Sequence, residues 1–243
     1  MEAVGIIPAR YQSSRFPGKP LADICGKPMI WWVYTRARKA LSLDGVYVAT
    51  DDQRIADVCR KYEMNFVMTS KNHDTPTSRI YEASNKIDAR LYVFIGGDEP
   101  LIDSDAVDAV ANQAKASGDE VTHAMSVIKT APEVIDFTNI KVVVSTDGYL
   151  LYTTRSPLPF PKGGLDYEYK KFVGIGAFTK KALQLYNDTP KSKLERIEEC
   201  DLLRFLDKFV KVRMVEVACR NVSVDTPKDL EAVISIVENG RIL

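Results

Sequence analysis

The segment LYVFIGGDEPLI, residues 91–102, settles which kind of sheet the chain can build. Its first five residues carry no polar alternate position, so a strand made from them is buried on both faces, as in a parallel sheet covered by helices. Ligands of such sheets gather at the carboxyl ends of the strands. This strand runs out into two glycines and then Asp98 and Glu99, which puts at least one carboxylate at that edge.

The flanking sequence repeats the rhythm. AVGIIP (3–8) and GVYVAT (45–50) read as strands, with an amphipathic helix over 28–41 between them. Asp51 or Asp52 can cap the helix DQRIADVCRKY, after which NFVMTS is extended. Helices are expected over 77–87, near 103–116, over 179–187 and 194–208, and from Thr226 or Pro227; strands are expected over 121–128 and 212–218. From about 131 the rhythm changes. Two β-rich runs flank Thr146, Asp147 and Gly148, a hairpin signal that predicts an antiparallel insertion returning to the main sheet near 171–178. The expected organisation is therefore one α/β domain over 1–243, mostly parallel sheet flanked by helices, with a smaller antiparallel β subdomain inserted at about 131–178.

Composition removes several classes. Lys plus Arg and Asp plus Glu both number 33, and no basic stripe is interleaved with aromatics, so neither nucleic acid nor an anionic membrane surface is an expected partner. No run of about 18 apolar residues occurs. The four cysteines, at 25, 59, 200 and 219, form no CxxC pair and read as packing thiols of a reducing, cytoplasmic compartment. His123 lies in an apolar strand and reads as structural. Trp31 and Trp32 read as the core and flank of their helix.

Residues 6–21, IIPARYQSSRFPGKPL, follow another strand end with Arg10, Arg15 and Lys19 among Ser13, Ser14 and Gly18. Backbone N–H groups of a tight loop and mobile cations can converge on a polyphosphate. The alternative is a solvated basic loop. The segment is no Walker A loop, because position 13 is Ser and Pro20 follows Lys19. A carboxylate beside a polyphosphate suits Mg²⁺, which takes only one or two protein carboxylates. Asp98 is the candidate, with Glu99 given to loop geometry; the competing reading is a helix cap, which Asp103 or Ser104 can equally provide. Asp225, just before Thr226 and Pro227, is a cap or turn residue when read alone and completes a metal site when paired with Asp98.

The motifs RYQSSRFPGKPL, GKPMI, VYVATDD, MTSKNHDTPTSR, GGDEPLI, LLYTTRSPLPF, LERIEECDLLR and VDTPKDLEAV occur in this order. With them the chain resembles the 3-deoxy-manno-octulosonate (Kdo) cytidylyltransferases from residue 4 to about 233. That resemblance implies a Rossmann-like nucleotidyltransferase fold, a homodimer joined through the smaller β subdomain, and the coupling of CTP to an eight-carbon 2-keto sugar acid with release of pyrophosphate. It implies Arg10, Ser13, Arg15 and Lys19 on the CTP phosphates, with Lys19, Arg10 and Asp98 carrying the catalysis. It further implies Mg²⁺ on Asp98 and Asp225, His73, Thr77 and Arg79 near the cytidine, and Arg155 at the sugar acid.

The pattern is altered on the acceptor side. Pro76 replaces a glycine after His73, Gly97 stands where the family's QGDEP has its glutamine, Phe172 and Gly176 replace a histidine and a tyrosine, and Asp201-Leu202 replace Glu-Gln. Each hydrogen-bonding group lost from a buried sugar site costs about 1–3 kcal/mol. The expected acceptor is therefore Kdo or a close relative, with Gly97, Phe172 and Asp201 beside Arg155 in the acceptor pocket. The alternatives are another acidic acceptor, such as a modified acid sugar or a phosphonate, and a noncatalytic nucleotide-binding protein.

Overall fold

The computed structural model describes residues 1–12, 16–164, 166–218 and 222–240. In chain order the elements are β1 (Ala3–Ala9), the small hairpin β2 (Asp23–Ile24) and β3 (Lys27–Pro28), α1 (Met29–Ala37), β4 (Gly45–Thr50), α2 (Gln53–Lys61), β5 (Phe66–Met68), α3 (Pro76–Ser84) and β6 (Leu91–Ile95). They continue through α4 (Ser104–Ser117), β7 (Val121–Val127), α5 (Ala131–Ile135), β8 (Lys141–Val144), β9 (Leu150–Thr154) and β10 (Lys170–Thr179). The chain then forms α6 (Lys180–Asp188), α7 (Lys193–Glu198), α8 (Leu202–Asp207), β11 (Val212–Glu216) and α9 (Pro227–Glu238).

The main sheet runs β11-β7-β10-β6-β1-β4-β5. Pairings β6-β1-β4-β5 and β7-β11 are parallel, as the doubly buried strands require. β10 is antiparallel to both neighbours and lies between β6 and β7, so the strand read at 121–128 does not adjoin the one at 91–95. The hairpin β8-β9 extends from the outer part of β10. Alternate residues of each strand feed two cores. On one face Ile7, Val93, Ile95 and Ile175 pack with α1 and α4; on the other Ile6, Tyr92, Phe178 and Met125 pack with α3, α6 and α8.

Capping residues set the helix starts. Asp52 caps α2, which frees Asp51, and Asp103 caps α4 through the Asp105 N–H. Thr226 and Asp229 form a capping box at α9 with Pro227 in the first turn, so Asp225 is not needed as the cap. Two expectations need correction. The helix read over 28–41 stops at Ala37, and the one over 194–208 is two helices, because Glu199 adopts a left-handed conformation (φ 51°) that closes α7.

Candidate active site

The carboxyl ends of β1 and β6, the turn before α3, the segment entering α9 and the insertion at 138–140 enclose a cleft of about 690 Å³. Arg10, Lys19, Asp98 and Asp225 all line it. The basic loop closes through the Gly18 N–H, which donates to the Tyr11 carbonyl (2.8 Å), with Gly18 at φ 73°. Directly beyond, Lys19 opens a one-turn 3₁₀ helix whose Pro20 is buried, so its backbone is fixed while its side chain enters the cleft. Ser13 and Arg15 lie outside the described residues.

Lys19 Nζ lies 3.1 Å from Asp98 Oδ2 and 3.3 Å from Asp225 Oδ1. The Val224 N–H donates to the Asp98 carbonyl at 2.8 Å, so the segment carrying Asp225 is docked on the backbone of the residue with which it shares a cation. Each aspartate is 36% exposed, enough to meet a ligand entering the cleft. The described residues hold no cluster of three or more His, Cys, Asp or Glu side chains suited to a metal. A pair of hard oxygen donors already sharing one cation nevertheless suits Mg²⁺ completed by phosphate and water.

Glu99 has the other role. Its Oε1 accepts from the Gly174 N–H (3.1 Å), and the Gly96 N–H donates to the Gly174 carbonyl (2.8 Å), which ties the Asp98 turn to β10. A Cβ at Gly174 would lie 2.4 Å from that carboxylate oxygen. The glutamine comparison at Gly97 also needs correction. Counted back from Asp98, the glutamine of QGDEP falls on Gly96, and a Cβ at Gly97 would lie 2.5 Å from the Pro8 carbonyl oxygen, so no side chain fits there. Gly97→Ala is accordingly expected to destabilise the protein by about 1–3 kcal/mol, as overpacking against backbone does, which a denaturant titration measures.

The turn over 73–76 forms the opposite wall. His73 Nδ1 lies 3.1 Å from Ser78 Oγ, and its Nε2 lies 2.6 Å from Glu82 Oε2, which also accepts from the Ser70 N–H. Burial pushes the Glu82 pKa up, but hydrogen bonds from Lys86, the Ser70 N–H and His73 outweigh it and take it down to about 2 from 4.5. The unfolded chain then binds the proton first, so this stabilisation is present above about pH 4.5 and is lost as the pH falls towards about 2. Glu82→Gln should therefore be less stable than the parent near neutrality, and urea titrations should find the gap closing across that window.

Arg79 lines the cleft but its guanidinium is committed: Asp51 Oδ2 at 2.8 Å, Thr69 Oγ1 at 2.5 Å and the Ser70 carbonyl at 3.2 Å. Thr77, Asp201 and Arg155 are not among the lining residues. Thr77 Oγ1 donates to Asp201 (2.7 Å), whose pKa is raised by burial. Arg155 donates to the carbonyls of Glu198 and Phe137 (both 2.9 Å), bracing from behind the insertion segment that carries Thr138 and Asn139 into the cleft.

Phe172 does line the cleft, beside Phe94 and Ile140. Behind it His123 stacks at 4.3 Å and fills the space left by Gly176, whose Cβ would meet the imidazole at 2.5 Å. Burial pushes the His123 pKa down to about 4, so the ring is neutral. Sequence reasoning also missed a buried network that anchors the 73–76 turn. Tyr186 Oη donates to Thr75 Oγ1 (3.1 Å) and lies 3.2 Å from Glu195, and Arg204 pairs with Glu195 through Nε (2.7 Å) and Nη2 (2.5 Å). The only signal was Glu195 and Arg204 within one motif.

The family model described as "Cytidylyltransferase" matches residues 4–212. A 3-deoxy-manno-octulosonate cytidylyltransferase of Nitratidesulfovibrio vulgaris (strain DP4) is 41% identical, over 97% of this chain and 96% of its own. An 8-amino-3,8-dideoxy-manno-octulosonate cytidylyltransferase of Shewanella sp. (strain ANA-3) is 38% identical, over 95% and 96%. The solved structure of a CMP:2-keto-3-deoxy-manno-octonic acid synthetase complexed with CTP superposes with a TM-score of 0.94 at 37% identity, covering 99% of this chain and all of that one. By sequence over nearly its whole length and by fold, the chain belongs to the cytidylyltransferase family, among the 3-deoxy-manno-octulosonate cytidylyltransferases.

Proposed function

We propose that the chain transfers CMP from CTP to 3-deoxy-manno-octulosonate, giving the CMP-sugar and pyrophosphate. The observation that carries this reading is the meeting of Lys19, Asp98 and Asp225 in one cleft of a chain so similar to a CTP-bound synthetase. The acceptor's 2-hydroxyl attacks the α-phosphorus in line, and pyrophosphate leaves. Such a reaction asks the protein for position and charge rather than for covalent chemistry. Lys19 and Arg10 neutralise charge on the α-phosphoryl group and the leaving group, and the β and γ phosphates are the proposed partners of Ser13 and Arg15. Asp98 and Asp225 would hold Mg²⁺, which supplies Lewis-acid neutralisation of the phosphates when bound. His73, Thr75 and Pro76 shape the cytidine end, with Thr77 and Arg79 bracing it from below; Phe94, Ile140 and Phe172 shape the acceptor end, braced by Arg155.

The aromatic acceptor wall and the Shewanella relative favour a second reading, in which the 8-amino acid is the better acceptor. Pyrophosphate release with CTP, Mg²⁺ and either acid separates the two. Release that depends on at least one of them is expected, and CTP binding with no release for any 2-keto-3-deoxy acid would overturn the proposal.

We also read the chain as a single nucleotidyltransferase domain whose insertion at 131–178 joins two copies in the cytosol. Ile135, Phe137, Leu151 and Phe160 within it, and Ile197 in α7, are exposed apolar side chains that such a contact would cover. No helix among the described residues is long and apolar enough to cross a membrane. Leu151→Asp is expected to convert a dimer into a monomer in light scattering after gel filtration; an unchanged mass would place the contact elsewhere.

A further inference from the structure

Lys19 holds the two carboxylates read above as the metal ligands, and a metal bonded to both would stand where its ammonium stands. Bonds of about 2.1 Å to Asp98 and Asp225 would put the ion within a few ångströms of Nζ, where two positive charges in a partly shielded cleft repel strongly. The backbone at Lys19 cannot retreat, since Gly18 is tied to Tyr11 and Pro20 is buried. The side chain can, because its four-carbon stem is flexible and a triphosphate in the same cleft offers it other oxygens.

We propose that Lys19 is a placeholder cation: it keeps Asp98 and Asp225 together in the free protein, and gives them up to a divalent ion only when a triphosphate arrives to receive its ammonium. This rests on the metal reading of the two aspartates. Bare ion is then held off, and nucleotide and ion favour each other's binding reciprocally. Lys19 thereby has two successive partners, the carboxylates before substrate entry and the phosphates after it.

The test needs no turnover. Mn²⁺ is titrated into the protein without nucleotide and, in a parallel arm, with CTP, and free Mn²⁺ is read by electron paramagnetic resonance, for the wild type, Lys19→Met, Lys19→Gln, Lys19→Arg, Asp98→Asn and Lys19→Met/Asp98→Asn, each checked for a native melting transition. Removing the ammonium should tighten Mn²⁺ binding about tenfold or more in both neutral variants, given the strength of a close like charge. Lys19→Arg should stay as weak as the wild type, and the double variant should lose the gain. Neutral variants that bind no tighter than the wild type, while Asp98→Asn still weakens Mn²⁺ retention in the presence of CTP, would refute the placeholder and leave the metal site standing. A double variant that binds as tightly as Lys19→Met would refute the metal site itself.

Discussion

Asparagine in place of Asp98 is expected to lower CTP-dependent pyrophosphate release by about 10²–10³-fold, the loss that follows removal of one preorganised electrostatic group. The variant preserves the side-chain shape and, more importantly, the backbone carbonyl that receives the Val224 N–H, so the segment carrying Asp225 stays docked. Glu99 and its bond to Gly174 are untouched, so the turn after β6 holds its course. What disappears is one negative charge beside Lys19. The loss should therefore appear in kcat and, because ion and nucleotide favour each other's binding, also as a weaker dissociation constant for CTP in the presence of Mg²⁺. Steady-state kinetics with a parallel CTP titration checks both; turnover near the parent's would remove Asp98 from the chemistry.

The second large effect concerns stability. Arg204→Ala should cost about 3–5 kcal/mol, the usual penalty for stranding one member of a buried ion pair. Glu195 is 3% exposed and would lose both guanidinium contacts, while the carbonyls of Tyr186 and Thr189 would lose the donors at 2.9 and 3.0 Å. For a domain of this size that loss corresponds to a fall in Tm of roughly 6–20 °C. Tyr186 lies over the same guanidinium and donates to Thr75, so the turn carrying His73 should loosen as well. A raised KM for CTP with a smaller change in kcat is the expected kinetic trace. A calorimetric scan with an unshifted transition would contradict the assignment of this pair as a structural anchor.

The parts of the fold that declare themselves locally were legible. An unbroken apolar run at 91–95 implies burial on both faces, and a carboxylate placed directly after it must lie at the ligand edge of the sheet, which is where Asp98 stands. The Thr226-Pro227 pair announced the start of α9 and so the position of Asp225 beside it. Features created by contacts between distant residues were not legible. Nothing in the 170–179 sequence states that β10 wedges antiparallel between β6 and β7, and that insertion alone explains Gly174 making room for Glu99 and Gly176 for His123. Arg79 was named through the family resemblance alone, and nothing local in the sequence showed that Asp51, released from capping by Asp52, would pair with its buried guanidinium at the edge of the cleft. Glu199 broke one expected helix into two because a single left-handed residue leaves no mark on hydrophobic periodicity.

The convergence of Lys19, Asp98 and Asp225 on one metal–triphosphate is what the whole account stands on. A crystal structure with CTP and Mn²⁺, the ion placed by its anomalous signal, tests it most directly. The account predicts one Mn²⁺ bonded to carboxylate oxygens of both Asp98 and Asp225 and to a phosphate oxygen, with Lys19 Nζ turned from the aspartates onto the phosphates. A triphosphate seated elsewhere, or an ion that touches neither aspartate, would contradict it.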